Sequence, residues 1–206
     1  SAYTAGMAKI RLAINVSDTA TSSHRIGVTS VSSHENSSIF ATNLAAIYAQ
    51  KGASTLLIDL SGGKSSLAEN LAVSSVSAKL SEEAGDLESR RVIGQRFDLI
   101  SGNATLARRL ASNRSKDLAD LNRKYEVILI NLPPLLAGLE DIPVEDLVGG
   151  TVIVSRWAQT PIGSALDLVN TLKAMKISIV GAVLTGVPGS SAHNNRHSAT
   201  AALRTV

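Results

Sequence analysis

Apolar positions along this chain fall into two alternating patterns: short continuous runs, and longer stretches in which they recur every three or four residues. The first stretch, MAKIRLAINV at 7–16, sets Met7, Ile10 and Ile14 on one helical face. Residues 1–6 read as a linker and 17–24 as a polar loop. HRIGVTS (24–30) predicts a strand. SSIFATNLAAIYAQKG (37–52) predicts a helix that aligns Phe40, Leu44, Ile47 and Tyr48 and stops at Gly52. STLLIDL (54–60) is apolar on successive residues, the pattern of a strand covered on both faces. SSLAENLA (65–72) predicts a short helix, whereas the Ser- and Glu-rich stretch 73–95 supports no assignment.

The alternation resumes with a strand at FDLIS (97–101) and a helix at SKDLADLNRKY (115–125). EVILINL (126–132) is another buried strand, halted by Pro133-Pro134. DIPVEDLVGG (141–150) predicts a short helix ending at Gly149, and TVIVSRW (151–157) a strand. In TPIGSALDLVNTLKAMK (160–176) Thr160 is placed to cap a helix and Pro161 to occupy its first position. ISIVGAVLTGV (177–187) is the last predicted strand, and 188–206 reads as a mobile tail. Strand and helix alternate without an internal repeat. This predicts one α/β domain over 1–187, a doubly wound, mostly parallel sheet flanked by helices.

Composition sharpens that picture. Aromatic residues are only 3% of the 206, so the core must be aliphatic. There is no cysteine, which excludes thiol catalysis, disulfide frameworks and cysteine–zinc sites. The net charge of +3, without Lys/Arg runs interleaved with aromatics, gives no support to a nucleic-acid surface. No apolar stretch approaches the roughly 20 residues of a membrane-spanning helix. With no signal peptide, the expected location is cytoplasmic.

In doubly wound sheets ligands sit at the carboxyl ends of the strands. Three junctions therefore carry the candidate chemistry: Ser30–Ile39, Asp59–Ser65 and Asn131–Pro134. A working ATP site needs a glycine-rich loop ending in Lys–Ser/Thr at the first, and acidic residues that order Mg²⁺ at the others. Taken in order, RIGVTS–loop–SSIFATNLA, STLLIDLSGGKSSL, YEVILINLPPLLAGLED and the stretch from GGTVIVSRW to GAVLTGV resemble the cytoplasmic domain of bacterial tyrosine kinases (BY-kinases). The resemblance covers roughly 7–187. The Pro-Pro after ILIN and the final GAVLTGV separate this family from its MinD/ParA-like relatives.

The resemblance implies a P-loop NTPase-like fold related to MinD/ParA. It also implies a domain fused to, or partnered with, a membrane-anchored polysaccharide co-polymerase in capsule and exopolysaccharide export at the inner membrane. On the family pattern the phosphate loop is Ser32, Ser33, His34, Glu35, Asn36, Ser37 and Ser38, with the lysine position at Ser37 and glycine positions at His34 and Asn36. Of the family's acids Asp59 is kept, while the other two positions hold Ser61 and Asn131. Only Ser38 and Asp59 are left to meet a Mg²⁺ ion. With the lysine and two acids replaced, the expectation is a degenerate site with no catalytic residue, no required cofactor and no metal. Lys64 in SGGKSS either caps a solvated turn or replaces the missing lysine. In the second case an atypical ATPase or kinase using Asp59, Ser38 and Lys64 would take ATP or ADP with Mg²⁺.

Other family features are also thin. The leading helix keeps one residue, Arg11, of a Glu-x-x-Arg-x-x-Arg ring-assembly motif that otherwise falls on Ala5 and Ala8. The tyrosine-rich tail has no counterpart after 188. His193 and His197 read as tail residues rather than metal ligands, and Asp141 and Glu145 as helix-opening acids. Trp157 is left open between packing and interface. The partners implied are the polysaccharide export or polymerisation machinery, with self-association possible and nucleic acid excluded. A MinD/ParA-like localisation ATPase is the alternative relative.

Overall fold

The computed structural model describes residues 2–17, 25–61, 67, 71, 73–79, 88–112 and 116–188. Predictions for 18–24, most of 62–72 with Lys64, 80–87, 113–115 and the tail with His193 and His197 lie outside these, as do the side chains of Ala5 and Ala8. The chain runs through α1 (Ala2–Ser17), β1 (Arg25–Ser30), α2 (Ser37–Gln50), β2 (Thr55–Asp59), β3 (Val73–Lys79), β4 (Glu88–Val92) and β5 (Asp98–Ser101). It continues through α3 (Ala104–Ala111), α4 (Lys116–Lys124), β6 (Val127–Asn131), α5 (Val144–Leu147), β7 (Gly150–Arg156), α6 (Ile162–Ala174) and β8 (Ile179–Thr185).

The strands form one sheet in the order β3-β4-β5-β2-β6-β1-β7-β8. From β5 to β8 every neighbouring pair is parallel, whereas β3 and β4 add an antiparallel edge. Parallel strands buried on both faces alternate their side chains between two cores. Ile128 and Ile130 of β6 join Ile58, Ile100, Leu121 and Leu168 on one side. Leu129 joins Val28, Phe40, Leu44, Leu57 and Met7 on the other. At Gly27 in β1 the packing leaves no room for a side chain: an added Cβ would lie 2.9 Å from both Leu132 Cδ1 and Thr151 Oγ1.

Helix α2 covers β1, β2 and β6 with Phe40, Ala41, Leu44, Ala45 and Tyr48. It ends in a Schellman turn: Gly52, at φ +97°, donates to Ala49 O, and Ala53 donates to Tyr48 O. That is the stop the sequence signalled. The two halves of the sheet meet at β1 and β6, which are adjacent although their following loops leave toward opposite faces. This is the crevice in which doubly wound folds place a ligand.

Three local expectations differ. Helix α1 starts at Ala2, earlier than its apolar stripe. The unassigned stretch 73–95 supplies the antiparallel strands β3 and β4. Helix α3 was invisible to periodicity because only eight residues form it; its cap is Asn103, whose Oδ1 accepts from the backbone N–H of Thr105 and Leu106 at 2.9 and 3.3 Å.

The antiparallel edge is tied to the body by a buried phenol. Tyr125 Oη donates to Asp98 Oδ2 at 2.8 Å, and Arg91 Nε pairs with Asp98 Oδ1 at 2.8 Å. Burial raises the Tyr125 pKa above its ordinary 10.0, with hydrogen-bonded Asp98 adding to the shift. The unfolded chain therefore loses this proton first, so the contribution is complete below pH 10 and declines above it. Tyr125→Phe should cost about 1–2 kcal/mol in urea unfolding at pH 7. The wild-type advantage should shrink when the pair is compared at progressively more alkaline pH.

Candidate functional site

Beyond Ser30 the chain forms a single 3₁₀ turn at Ser33–Glu35, reverses through Asn36 and enters α2 at Ser37. Asn36 lies at φ 61°, ψ 32°, a left-handed conformation that asparagine tolerates better than most side chains. The loop thus turns into α2 without a glycine between Val31 and Ile39. What holds it is Glu35, a carboxylate only 4% exposed. Its Oε2 accepts from the backbone N–H of Val31 at 2.7 Å and of Ser32 at 3.3 Å. Its Oε1 accepts from Thr160 Oγ1 at 2.7 Å, and that hydroxyl in turn accepts from the Arg156 N–H at 2.8 Å. The loop winds around an anion that is part of itself. Ser33 and His34 face solvent, and Arg156 Nη1 donates to His34 O at 3.4 Å.

Thr160 thus corrects the reading that made it a helix cap: α6 starts after Pro161, and no side chain caps it. Its partner lies 125 residues away in sequence, and linear spacing carries no signal for such a contact.

The lysine position, Ser37, is buried beneath the loop. Ser30 Oγ lies 3.2 Å from Ser37 Oγ and donates to Ser32 O at 2.9 Å. Asp59 and Asn131 are register partners at the ends of β2 and β6, so their side chains meet. Asn131 Nδ2 donates to Asp59 Oδ1 at 2.8 Å and to Ser38 Oγ at 3.0 Å. Asp59 Oδ1 also accepts from Ser61 Oγ at 2.7 Å, and its Oδ2 from the Leu67 N–H at 2.9 Å. Thr29 Oγ1, donating to Pro133 O at 2.8 Å, pins the Pro-Pro loop to β1. The structure brings Ser30, Ser37, Ser38, Asp59 and Asn131 together, and Ser32 and Glu35 into the adjoining loop.

Mg²⁺–nucleotide chemistry needs oxygen ligands around a cation and a positive charge near the phosphates. Here an amide NH₂ lies between the Ser38 hydroxyl and the Asp59 carboxylate, the two groups left to meet a metal. An amide nitrogen ligates no hard cation, and its protons already satisfy both oxygens. Turning the amide over would set Oδ1 against Asp59 Oδ1, two acceptors with no proton between them. No cation stands at position 37. The residues described here do not fit Mg²⁺ or phosphoryl transfer.

No protein-family model matches the chain. The tyrosine-protein kinase ptk of Acinetobacter johnsonii is 25% identical over 191 residues, covering 89% of this chain but 26% of the relative, so the chain spans about a quarter of that protein. The kinase domain of the Escherichia coli tyrosine kinase ETK shares the fold with a TM-score of 0.69 at 22% identity, over 88% of this chain and 75% of that one. MinD, in the MinC:MinD cell division protein complex of Aquifex aeolicus, represents the wider fold: that match has a TM-score of 0.67 at 16% identity, over 88% and 78%. The resemblance to bacterial tyrosine-kinase domains is borne out, and so is the mostly parallel, P-loop NTPase-like sheet.

Two substitutions probe this geometry. Glu35→Ala strips the acceptor from two backbone N–H groups and a hydroxyl. It should destabilise the fold by about 1–3 kcal/mol and speed hydrogen exchange at Val31 and Ser32. Asn131→Asp sets two carboxylates side by side and should lower Tm in EDTA. Millimolar Mg²⁺ should restore much of that loss, while leaving the wild-type Tm unchanged.

Proposed function

We propose that this chain is a kinase-like domain without phosphoryl-transfer activity that regulates or scaffolds exopolysaccharide or capsule polymerisation and export. The observation that carries this reading is the Asn131 amide bridging Ser38 and Asp59. It replaces an acid where the family has one and satisfies the two groups a metal would need. One preorganised charge-stabilising group is worth roughly 10²–10³ in rate. Losing the lysine and two acids therefore outweighs what Ser38 and Asp59 retain. In this reading neither nucleotide nor Mg²⁺ is a required cofactor.

The family likeness supports a place on the cytoplasmic face of a bacterial inner membrane. The partners would be the export or polymerisation machinery, or its membrane-anchored co-polymerase. Among the described residues no helix is long and apolar enough to cross a membrane. The membrane connection is then made through a partner or through a segment outside these residues.

Calorimetric titration with ATP and ADP, with and without Mg²⁺, tests the proposal. The expected outcome is no heat and no thermal stabilisation at millimolar nucleotide. Micromolar binding lost in Lys64→Ala and Asp59→Ala would overturn it in favour of an atypical ATPase or kinase.

A further inference from the structure

The crevice occupies the carboxyl ends of the strands. The opposite rim, where the parallel strands begin and β4 ends, carries positive charge. Four neighbouring strands, β4-β5-β2-β6, meet there. Ser54 N–H donates to Glu126 Oε2 at 2.7 Å and Glu126 N–H to Ser54 O at 2.9 Å, which joins the entries to β2 and β6. Tyr125 Oη, donating to Asp98 Oδ2, joins β6 to the start of β5. The β4–β5 hairpin closes beside them, with Val92 N–H donating to Phe97 O at 3.0 Å.

Lys51, Arg90, Arg91, Arg96, Arg123 and Lys124 are exposed on this rim. Among the described residues three acids lie with them, all engaged: Asp98 by Arg91 and Tyr125, Asp120 by Arg123, and Glu126 by Ser54. The excess here equals the net charge of the whole chain, +3. Arg123 and Lys124 close α4, and the helix dipole accounts for them. It does not account for the hairpin. There Ile93 is 61% exposed between Arg91 and Arg96. Arg96 itself lies at φ 60°, a left-handed conformation that glycine takes at less cost. A cation stands where the turn alone would favour glycine.

We propose that this rim is a docking surface for an anionic lipid bilayer, with Ile93 entering the interface and the cations around it meeting headgroup phosphates. Charge complementarity supplies the attraction, and the apolar tip favours a bilayer over a soluble polyanion. Phe97 and Tyr125, the aromatics of this rim, are buried, so no base-stacking platform accompanies the cations. Docked in this way, the domain turns its crevice away from the lipid and toward other proteins. The contact orients a domain whose anchor lies in a partner or in a segment outside these residues. The choice of a bilayer rests partly on the membrane placement proposed above. Vesicle and nucleotide binding are separate measurements, so either can fail alone.

The chain has no cysteine, so single labels carry no background. Ile93→Cys bearing a nitrobenzoxadiazole dye is compared with Ile162→Cys, where the native side chain is 80% exposed at the start of α6 on the crevice rim. The vesicles are phosphatidylcholine with about one third phosphatidylglycerol, in about 0.1 M salt. The label at 93 should shift to the blue on these vesicles and the label at 162 should not. Phosphatidylcholine alone, or about 0.5 M salt, should abolish the shift. In sedimentation with the same anionic vesicles, Arg96→Gly and Lys124→Gln should each weaken binding about fivefold. Arg96→Gly relieves the left-handed residue, so its Tm should not fall. Failure of the chain to bind, or an equal response of both labels, would overturn the proposal. Vesicle binding unchanged in Ile93→Ser, with polyphosphate competing for it, would overturn it in favour of an acidic polymer.

Discussion

The carboxylate of Asp59 sits at the centre of the sheet, 3% exposed, and the arrangement of the whole crevice follows from the need to satisfy it. A buried charge is tolerated only when its oxygens are fully hydrogen-bonded. The donors come from three places: the neighbouring strand through Asn131, the following turn through Ser61, and the chain beyond it through the Leu67 N–H. Because Asn131 also donates to Ser38, the same group fixes where α2 begins relative to β2 and β6. One electrostatic requirement thereby sets the ends of two strands and the start of a helix.

Glu35 repeats this logic one layer out. Phosphate loops bind anions because their backbone N–H groups point inward without partners. In this loop two of those groups, on Val31 and Ser32, are held by a side chain of the loop itself. The other carboxylate oxygen receives Thr160, which joins the loop to the turn between β7 and α6. The first and last thirds of the chain are thus connected at the site by a neutral hydroxyl and a buried anion. Arg156 adds only a long, exposed contact to the same turn, so the neutral bond carries the junction.

The alternating architecture and the identity of the three junctions were legible in the sequence, because runs such as LLID and VILIN have no other stable use than strands buried on both faces. The resemblance pointed to a loop over Ser32–Ser38, and the structure forms that stretch as a 3₁₀ turn followed by a left-handed Asn36. What holds that loop was not legible. Glu35 looked like a charge beside the phosphates; Ser32-x-x-Glu35 has the spacing of a capping box, which signals the Ser32 contact, but nothing local signals those with Val31 and Thr160. The antiparallel edge was hidden for a different reason. Serine and glutamate have weak strand propensity, and pairing with β5, not local preference, makes 88–92 a strand. Thr160 followed by Pro161 matches the capping rule, but tertiary contact with Glu35 overrode it.

The amide at Asn131 fits the crevice without a metal. With an aspartate there, register would bring two carboxylates together at the ends of β2 and β6. Such a pair is stable only with a cation between them or with a proton on one. Folding would then draw part of its free energy from a bound metal. An asparagine supplies a donor to Asp59 Oδ1 and to Ser38 Oγ, and removes one of the two charges. At Ser37 a small hydroxyl partnered by Ser30 is buried beneath the loop. On the proposed reading, each of these residues would remove catalytic capacity and a ligand dependence together.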